Sequence, residues 1–295
     1  MARTEPTEPP AGLAFRRLGP ADVAAGERLS AEAGWNQNAA DWRHILQSGP
    51  TIGYEDGDGR LVASAAILPY GDRLAWICMV LVTPRWRKRG LATALLRRCI
   101  DIAAENDWTA GLDATEAGRP VYLPLGFLDC FALSRFMAEP PAVLPVAPTA
   151  SLRPMTTADL DAVSRLDARA AGTDRSALIT HLFERAPEFA WIAGDASSVT
   201  GFCLGRDGRE ADQIGPVTAR DSGTAVALAA RALAARRDPA RRVYVDAVDA
   251  SEDFCTWLRE AGFVRQRGFS RMLMGTSTPP GETRLIHAIT GPELS

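Results

Sequence analysis

Lysine is nearly absent from this 295-residue chain: of 33 basic residues, all but Lys88 are arginine. The bias is compositional, and with a net charge of −3 nothing in the bulk numbers favours nucleic acid or an anionic membrane as a partner. Cysteine is sparse too. Cys78, Cys99, Cys130, Cys203 and Cys255 are scattered, odd in number and without C-x-x-C spacing, which argues against a disulfide framework or zinc ribbon and for reduced packing residues in a cytoplasmic protein. The three histidines, His44, His181 and His287, have no metal-ligand spacing, so no metal is expected. No apolar run reaches membrane-spanning length. The first residues are rich in Pro, Glu and Thr and lack the apolar stretch of a signal peptide, so residues 1–13 read as a disordered tail. Neither G-x-x-x-x-G-K-[ST] nor G-x-G-x-x-G occurs near the one strongly cationic stretch, which removes the two commonest phosphate-loop readings.

The chain does have enough apolar residue, 46%, to fill real cores, and it is long enough for two of them. A proline-rich segment over 139–150 reads as an extended linker. Beyond the linker the chain repeats its own opening. Phe15-Arg16-Arg17-Leu18, Ala21-Asp22-Val23 and Arg28-Leu29 recur as Leu152-Arg153-Pro154-Met155, Ala158-Asp159-Leu160 and Arg165-Leu166, at a constant offset of 137 residues. A constant offset across a strand and a helix predicts one fold occurring twice, in domains 14–138 and 151–295. Within the first copy, the pattern predicts a strand at 14–18, helices at 20–33 and 38–48, and strands at 50–55, 60–69 and 73–83. A helix at 90–106, a strand at 109–114, a short helix at 118–125 and a strand at 127–137 complete it. Hairpins leading into β-α-β give an α/β class fold with a mixed sheet. The segment 285–294 reads as a last strand.

The chemistry concentrates at residues 80–96, where an apolar strand runs through Pro84, Arg85, Trp86, Arg87, Lys88, Arg89 and Gly90 into an alanine- and leucine-rich helix. Main-chain donors converging at a helix N-terminus, with cations around them, form an anion site suited to a diphosphate. Val82, Pro84, Arg87, Gly90, Ala92 and Leu95 match V-x-P-x-x-R-x-x-G-x-[GA]-x-x-L, and in this the chain resembles the GNAT superfamily of acyl-CoA-dependent N-acyltransferases. A second block, residues 112–127, resembles the strand, short helix and Y-x-x-x-G-F ending of the same family through Tyr122, Gly126 and Phe127.

The resemblance implies two tandem GNAT folds and acetyl-CoA as co-substrate. The thioester arm would pair with Val80, Leu81 and Val82, and the diphosphate would lie on Arg87, Lys88, Arg89, Gly90, Leu91, Ala92 and Thr93. The Val80 N–H would hold the oxyanion, and Tyr122 would protonate the departing thiolate. Some members carry a glutamate on the strand before the signature; the matching position here is Cys78. Asp113 and Glu116 are therefore the candidates for the base, directly or through water, although Asp113 could equally cap the short helix. Trp35, Asn36, Tyr70 and Glu116 are the candidate contacts to the acceptor, with Trp42 read as a core anchor and Asn38 as an N-cap. The second copy is altered at the corresponding places: Val217 to Gly223 is two residues shorter than Val82 to Gly90, Asp221 stands among the lost cations, and Leu258 replaces the tyrosine. That half is expected to be degenerate. The expected activity is acetyl transfer to a primary amine of a small molecule, in a cytoplasmic monomeric pseudo-dimer, a homodimer being the other arrangement. A non-catalytic acyl-CoA sensor and a peptide or protein N-acetyltransferase are the alternatives.

Overall fold

The 137-residue offset reappears as matched local structure. Arg16 pairs with Asp22 at 2.6 Å and Arg153 with Asp159 at 2.7 Å, each pair bracing the turn that leads into the first long helix of its repeat. In both, the aspartate also accepts the backbone N–H three residues earlier, from Gly19 at 2.8 Å and from Thr156 at 2.9 Å. One carboxylate thus fixes strand and helix together, which is why the pattern survives in both copies.

The structure, a computed structural model, describes residues 12–139, 152–195 and 198–295. The expected tail, apart from Gly12 and Leu13, and the expected linker, apart from Glu139, lie outside the described residues. The contacts divide the chain at Ala110/Gly111 into two units, not at the linker.

The first unit carries β1 (Leu13–Arg17), α1 (Val23–Glu32), α2 (Ala39–Ser48), β2 (Thr51–Asp56), β3 (Leu61–Tyr70), β4 (Leu74–Val82) and α3 (Leu91–Glu105). Its strands lie in the order β1-β2-β3-β4, all antiparallel. The helix expected over 20–33 opens with a single 3-10 turn, Pro20–Asp22, because Pro20 pre-sets the first turn. Asn38 caps α2 by accepting from the N–H groups of Ala40 and Asp41, and Trp42 is fully buried with its indole N–H donated to Ser30 Oγ at 2.9 Å. A methyl group at Gly26 would lie 2.3 Å from the Trp42 ring, so α1 and α2 meet as closely as they do only because that position is glycine. Helix α3 buries Leu91, Leu95, Leu96, Cys99, Ile102 and Ala103, one helical stripe, against β3 and β4.

At the division runs β5 (Thr109–Thr115). The second unit continues with α4 (Arg119–Tyr122), β6 (Phe127–Ala138), β7 (Leu152–Pro154), α5 (Leu160–Ala171), α6 (Ser176–Arg185) and β8 (Trp191–Asp195). Next come β9 (Ser198–Arg206), β10 (Asp212–Ala219), α7 (Ser222–Ala234), β11 (Val243–Val248), α8 (Glu252–Glu260), β12 (Val264–Met274) and β13 (Ile286–Ile289). Its strand order is β5-β12-β6-β11-β13-β10-β9-β8-β7. Two repeats are interleaved here. Strand β6, from the first repeat, lies between β12 and β11 of the second, and β12 in turn lies between β5 and β6. That exchange explains why the contact boundary departs from the boundary at the linker: β6 belongs to the first copy by sequence and to the second by hydrogen bonding.

Asp159 is 1% exposed in its side chain, and the Arg153 guanidinium holds its carboxyl well below the usual carboxylate range. A depressed native pKa contributes stability that is present above the unfolded value, about 3.9, and lost as pH falls through the native value. Asp159→Asn is therefore expected to melt below the wild type at pH 7, with the gap shrinking as pH drops under about 4, measured by calorimetry across that range.

Candidate functional site

Strand β4 is apolar along its length, and its regular pairing with β3 breaks at one place. Ser64 lies opposite Leu81 and Ala66 opposite Cys78, so Met79 and Val80 fall outside the paired register. Met79 takes φ +51°, the Ser64 hydroxyl donates to its carbonyl at 2.9 Å, and the strand is bulged. A bulge removes a residue from the ladder and re-aims its neighbours; here the partly exposed side of the strand, Val80 and Val82, meets open space while Leu81 stays buried.

Beyond Val82 the chain makes one 3-10 turn, Pro84–Trp86, and the Arg87 side chain bends back so that its Nε donates to the Val82 carbonyl at 3.0 Å. Arg89 stacks over the Trp86 ring at 4.7 Å. Lys88 and Gly90 both adopt positive φ, +61° and +81°, which turns successive main-chain N–H groups inward before α3 begins. Helix α3 has no side-chain N-cap. Its first N–H groups, on Leu91, Ala92 and Thr93, thus have no intrahelical acceptor and carry the positive end of the helix dipole.

These elements enclose a cavity of about 390 Å³. Its walls are the β4 segment Val80–Val82, the loop residues Trp86, Arg87, Lys88 and Gly90, the first turn Leu91–Thr93, and Ala33 with Trp35 from the end of α1. The strand, loop and helix start singled out in the sequence thus come together, joined by one acceptor candidate, Trp35. Asn36 is buried, and so is Tyr70. No carboxylate stands among the lining residues.

The remaining candidates belong to the second unit. Tyr122 ends α4, its ring edge-on to Phe127 at 6.0 Å, and burial pushes its phenol up, so the hydroxyl carries its proton at neutral pH. Asp113 does not cap α4. The Thr115 hydroxyl takes the Gly118 N–H at 3.1 Å in that turn, while Asp113 accepts from Arg271 Nε and Nη2 at 2.9 and 2.8 Å with its own side chain wholly buried. Burial raises the Asp113 pKa against the opposing pull of Arg271. Glu116 is exposed and has no ion-pair partner among the described residues.

In the second repeat both counterparts are filled by the chain itself. Strands β10 and β11 run parallel from Asp212/Val243 to Ile214/Val245, and where they would separate β13 enters between them, with Ala288 opposite Val217 on one side and Ala247 on the other. A Cβ on Gly215 would lie 2.0 Å from the Ile289 carbonyl oxygen, so that glycine makes room for β13. His287 fastens the strand, with Nδ1 2.6 Å from Ser251 Oγ and Nε2 3.3 Å from the Ala219 carbonyl; burial lowers its pKa. At the start of α7 the Asp221 carboxylate accepts the Thr224 N–H at 2.8 Å, taking an end that α3 leaves open. The sequence signalled the second feature through Asp221. The strand expected over 285–294 is present as β13, but its insertion between β10 and β11 had no signal in the sequence.

The model of the Acetyltransferase (GNAT) family matches residues 23–127, and that of the Acetyltransferase (GNAT) domain matches residues 163–288. No curated protein matches the chain. Among solved structures, a putative acetyltransferase from Pyrococcus horikoshii is 19% identical with a TM-score of 0.78, over 96% of each chain. A tandem GNAT protein from the clavulanic acid biosynthesis pathway is 19% identical with a TM-score of 0.62, over 88% of this chain and 98% of that one. The N-myristoyltransferase of Saccharomyces cerevisiae, solved with bound myristoyl-CoA, is 13% identical with a TM-score of 0.67, over 93% and 86%. With one GNAT match in each repeat and the fold shared along nearly the whole chain, this protein belongs to the GNAT superfamily and is an acyltransferase with two GNAT domains in tandem.

Proposed function

We propose that the protein transfers an acetyl group from acetyl-CoA directly to a primary amine of a small molecule, with the cofactor bound in the cavity of the first unit. One observation carries this reading: an uncapped helix start and a strand bulged at Met79–Val80 line the same cavity. The thioester arm would add to Val80–Val82 as an extended strand adds to a sheet edge, orienting the carbonyl. The diphosphate would take the N–H groups from Arg87 to Thr93. The residues fit that group, because an anion there replaces an acceptor that the chain does not itself provide.

In the transfer, the amine nitrogen forms a bond to the thioester carbon while the carbonyl oxygen gains charge, which the Val80 N–H would stabilise. Collapse breaks the carbon–sulfur bond, and Tyr122, protonated at neutral pH, would deliver its proton to the thiolate and be reprotonated by the surplus proton that the new amide nitrogen sheds. An alkylammonium has a pKa near 10.4, so a proton must leave before attack. Asp113 is committed to Arg271. Its role in this reading is the ion pair, and Glu116 is the carboxylate left to receive the proton through water. Trp35 contacts the acyl arm or the acceptor from the cavity wall. The second repeat, with β13 between its strands and Asp221 on its helix, binds no cofactor and serves as scaffold. A non-catalytic acyl-CoA sensor is the competing reading, favoured by the lack of a carboxylate in the cavity wall.

Gly90→Glu brings a negative charge to the diphosphate position, where a Cβ meets nothing within 4 Å but the φ of +81° strains any side chain, so Gly90→Ala, which carries the strain without the charge, is its reference. Acetyl-CoA affinity is expected to fall about 100-fold, the loss of two charge-assisted hydrogen bonds, by isothermal titration calorimetry; unchanged affinity removes the site. Tyr122→Phe should lower kcat by about 10²-fold or more with acetyl-CoA affinity retained, in a thiol-release assay over an amine panel. No turnover by the wild type with any amine, alongside tight acetyl-CoA binding, selects the sensor. Arg220→Ala should leave one acetyl-CoA bound per chain, and a drop from two to one by titration shows instead that the second repeat is loaded.

A further inference from the structure

Strand β12 carries Arg265, Arg267 and Arg271. Arg265 donates its Nε to Ser134 Oγ at 2.9 Å and Arg271 grips Asp113, whereas Arg267 has no hydrogen-bond or ion-pair partner among the described residues. It is partly buried all the same. The register places Arg267 directly opposite Arg135 on β6, which is directly opposite Asp246 on β11. Directly paired residues share a sheet face, so two guanidinium groups stand side by side with one carboxylate beyond them.

That carboxylate is fully used. Asp246 accepts from Arg135 Nε and Nη2, both at 2.7 Å, and from Gln213 Nε2 at 3.0 Å. The other buried acids nearby are also engaged, Asp113 by Arg271 and Glu293 by Arg206. One positive charge is therefore left over on this face. Like charges opposite one another across a ladder cost stability, and the cost grows in surroundings as apolar as the Tyr244 and Phe269 rings on which Arg135 stacks at 4.9 and 5.5 Å. Burial and the Arg135 charge lower the Arg267 pKa, outweighing the upward pull of Asp246 and Tyr244.

We propose that Arg267, beside the paired Arg135–Asp246 row and the Tyr244 ring, is a binding point for the oxyanion of a small ligand, a carboxylate or a phosphate. A guanidinium fork matches a carboxylate or a phosphate with two parallel hydrogen bonds, and a bound oxyanion would neutralise the excess charge. As a binding site it stands independently of turnover.

The test is titration of the full chain with N-acetylglycine, with inorganic phosphate and with neutral N-methylacetamide, monitored by NMR, with acetyl-CoA affinity measured on the same samples. Saturable N-acetylglycine binding that falls about tenfold in Arg267→Gln and is partly restored in Arg267→Lys, with N-methylacetamide indifferent to both, is the expected result. The same loss seen with phosphate alone keeps the oxyanion site and assigns it to a phosphate-bearing ligand. Equal binding to wild type and Arg267→Gln, or no binding of either oxyanion to the wild type, overturns the proposal. Because acetyl-CoA affinity reports only the Val80–Thr93 cavity, its loss or retention judges the acyl-CoA reading separately.

Discussion

Main-chain hydrogen-bonding groups that the chain does not satisfy for itself are the constraint around which this protein is organised. A buried or semi-buried N–H without an acceptor is costly, so folded chains close such positions with caps, ladders or bound groups. Here they persist at Leu91–Thr93, which face one cavity together with the bulged strand β4. The apolar stripe of α3 and the buried face of β4 hold them there. The core does not relax to close the gap, since that would unseat Leu91, Leu95 and Leu96, all at or below 1% exposure.

The second repeat shows the alternative solution to the same problem. Its helix start is capped by Asp221 and its strand opening by β13, so its polar groups are met from within the chain. Two copies of one fold have thus diverged at the points where a ligand or the chain could serve equally well. A carboxylate at a helix N-terminus does what a diphosphate does, and an extended strand does what an extended thioester arm does.

Interleaving has an electrostatic cost. Arg135–Asp246 and Arg271–Asp113 join strands from different repeats, and each is buried with paired hydrogen bonds. Buried pairs of this kind add little net stability, but breaking one by removing a partner leaves a buried charge and costs about 3–5 kcal/mol. They act mainly as register marks: β12 slipped by one residue would send Arg271 to the opposite face and leave Asp113 alone. Arg267, on the same strand, lacks such an assignment.

By itself the sequence determined the elements, the repeat and the strand-loop-helix segment from Val80 to Thr93, because these depend on local pattern: helical stripes, turn residues, and a loop running straight into a helix. The Asp22 and Asp159 braces were likewise implicit in the 137-residue offset. Only the tertiary structure decided the partners of Asp113, the strand exchange at β6, and the occupation of the second opening by β13. Those outcomes turn on pairings between strands far apart in the chain, such as Asp113 with Arg271 and Val217 with Ala288, and no short-range preference encodes which distant edge a strand will choose.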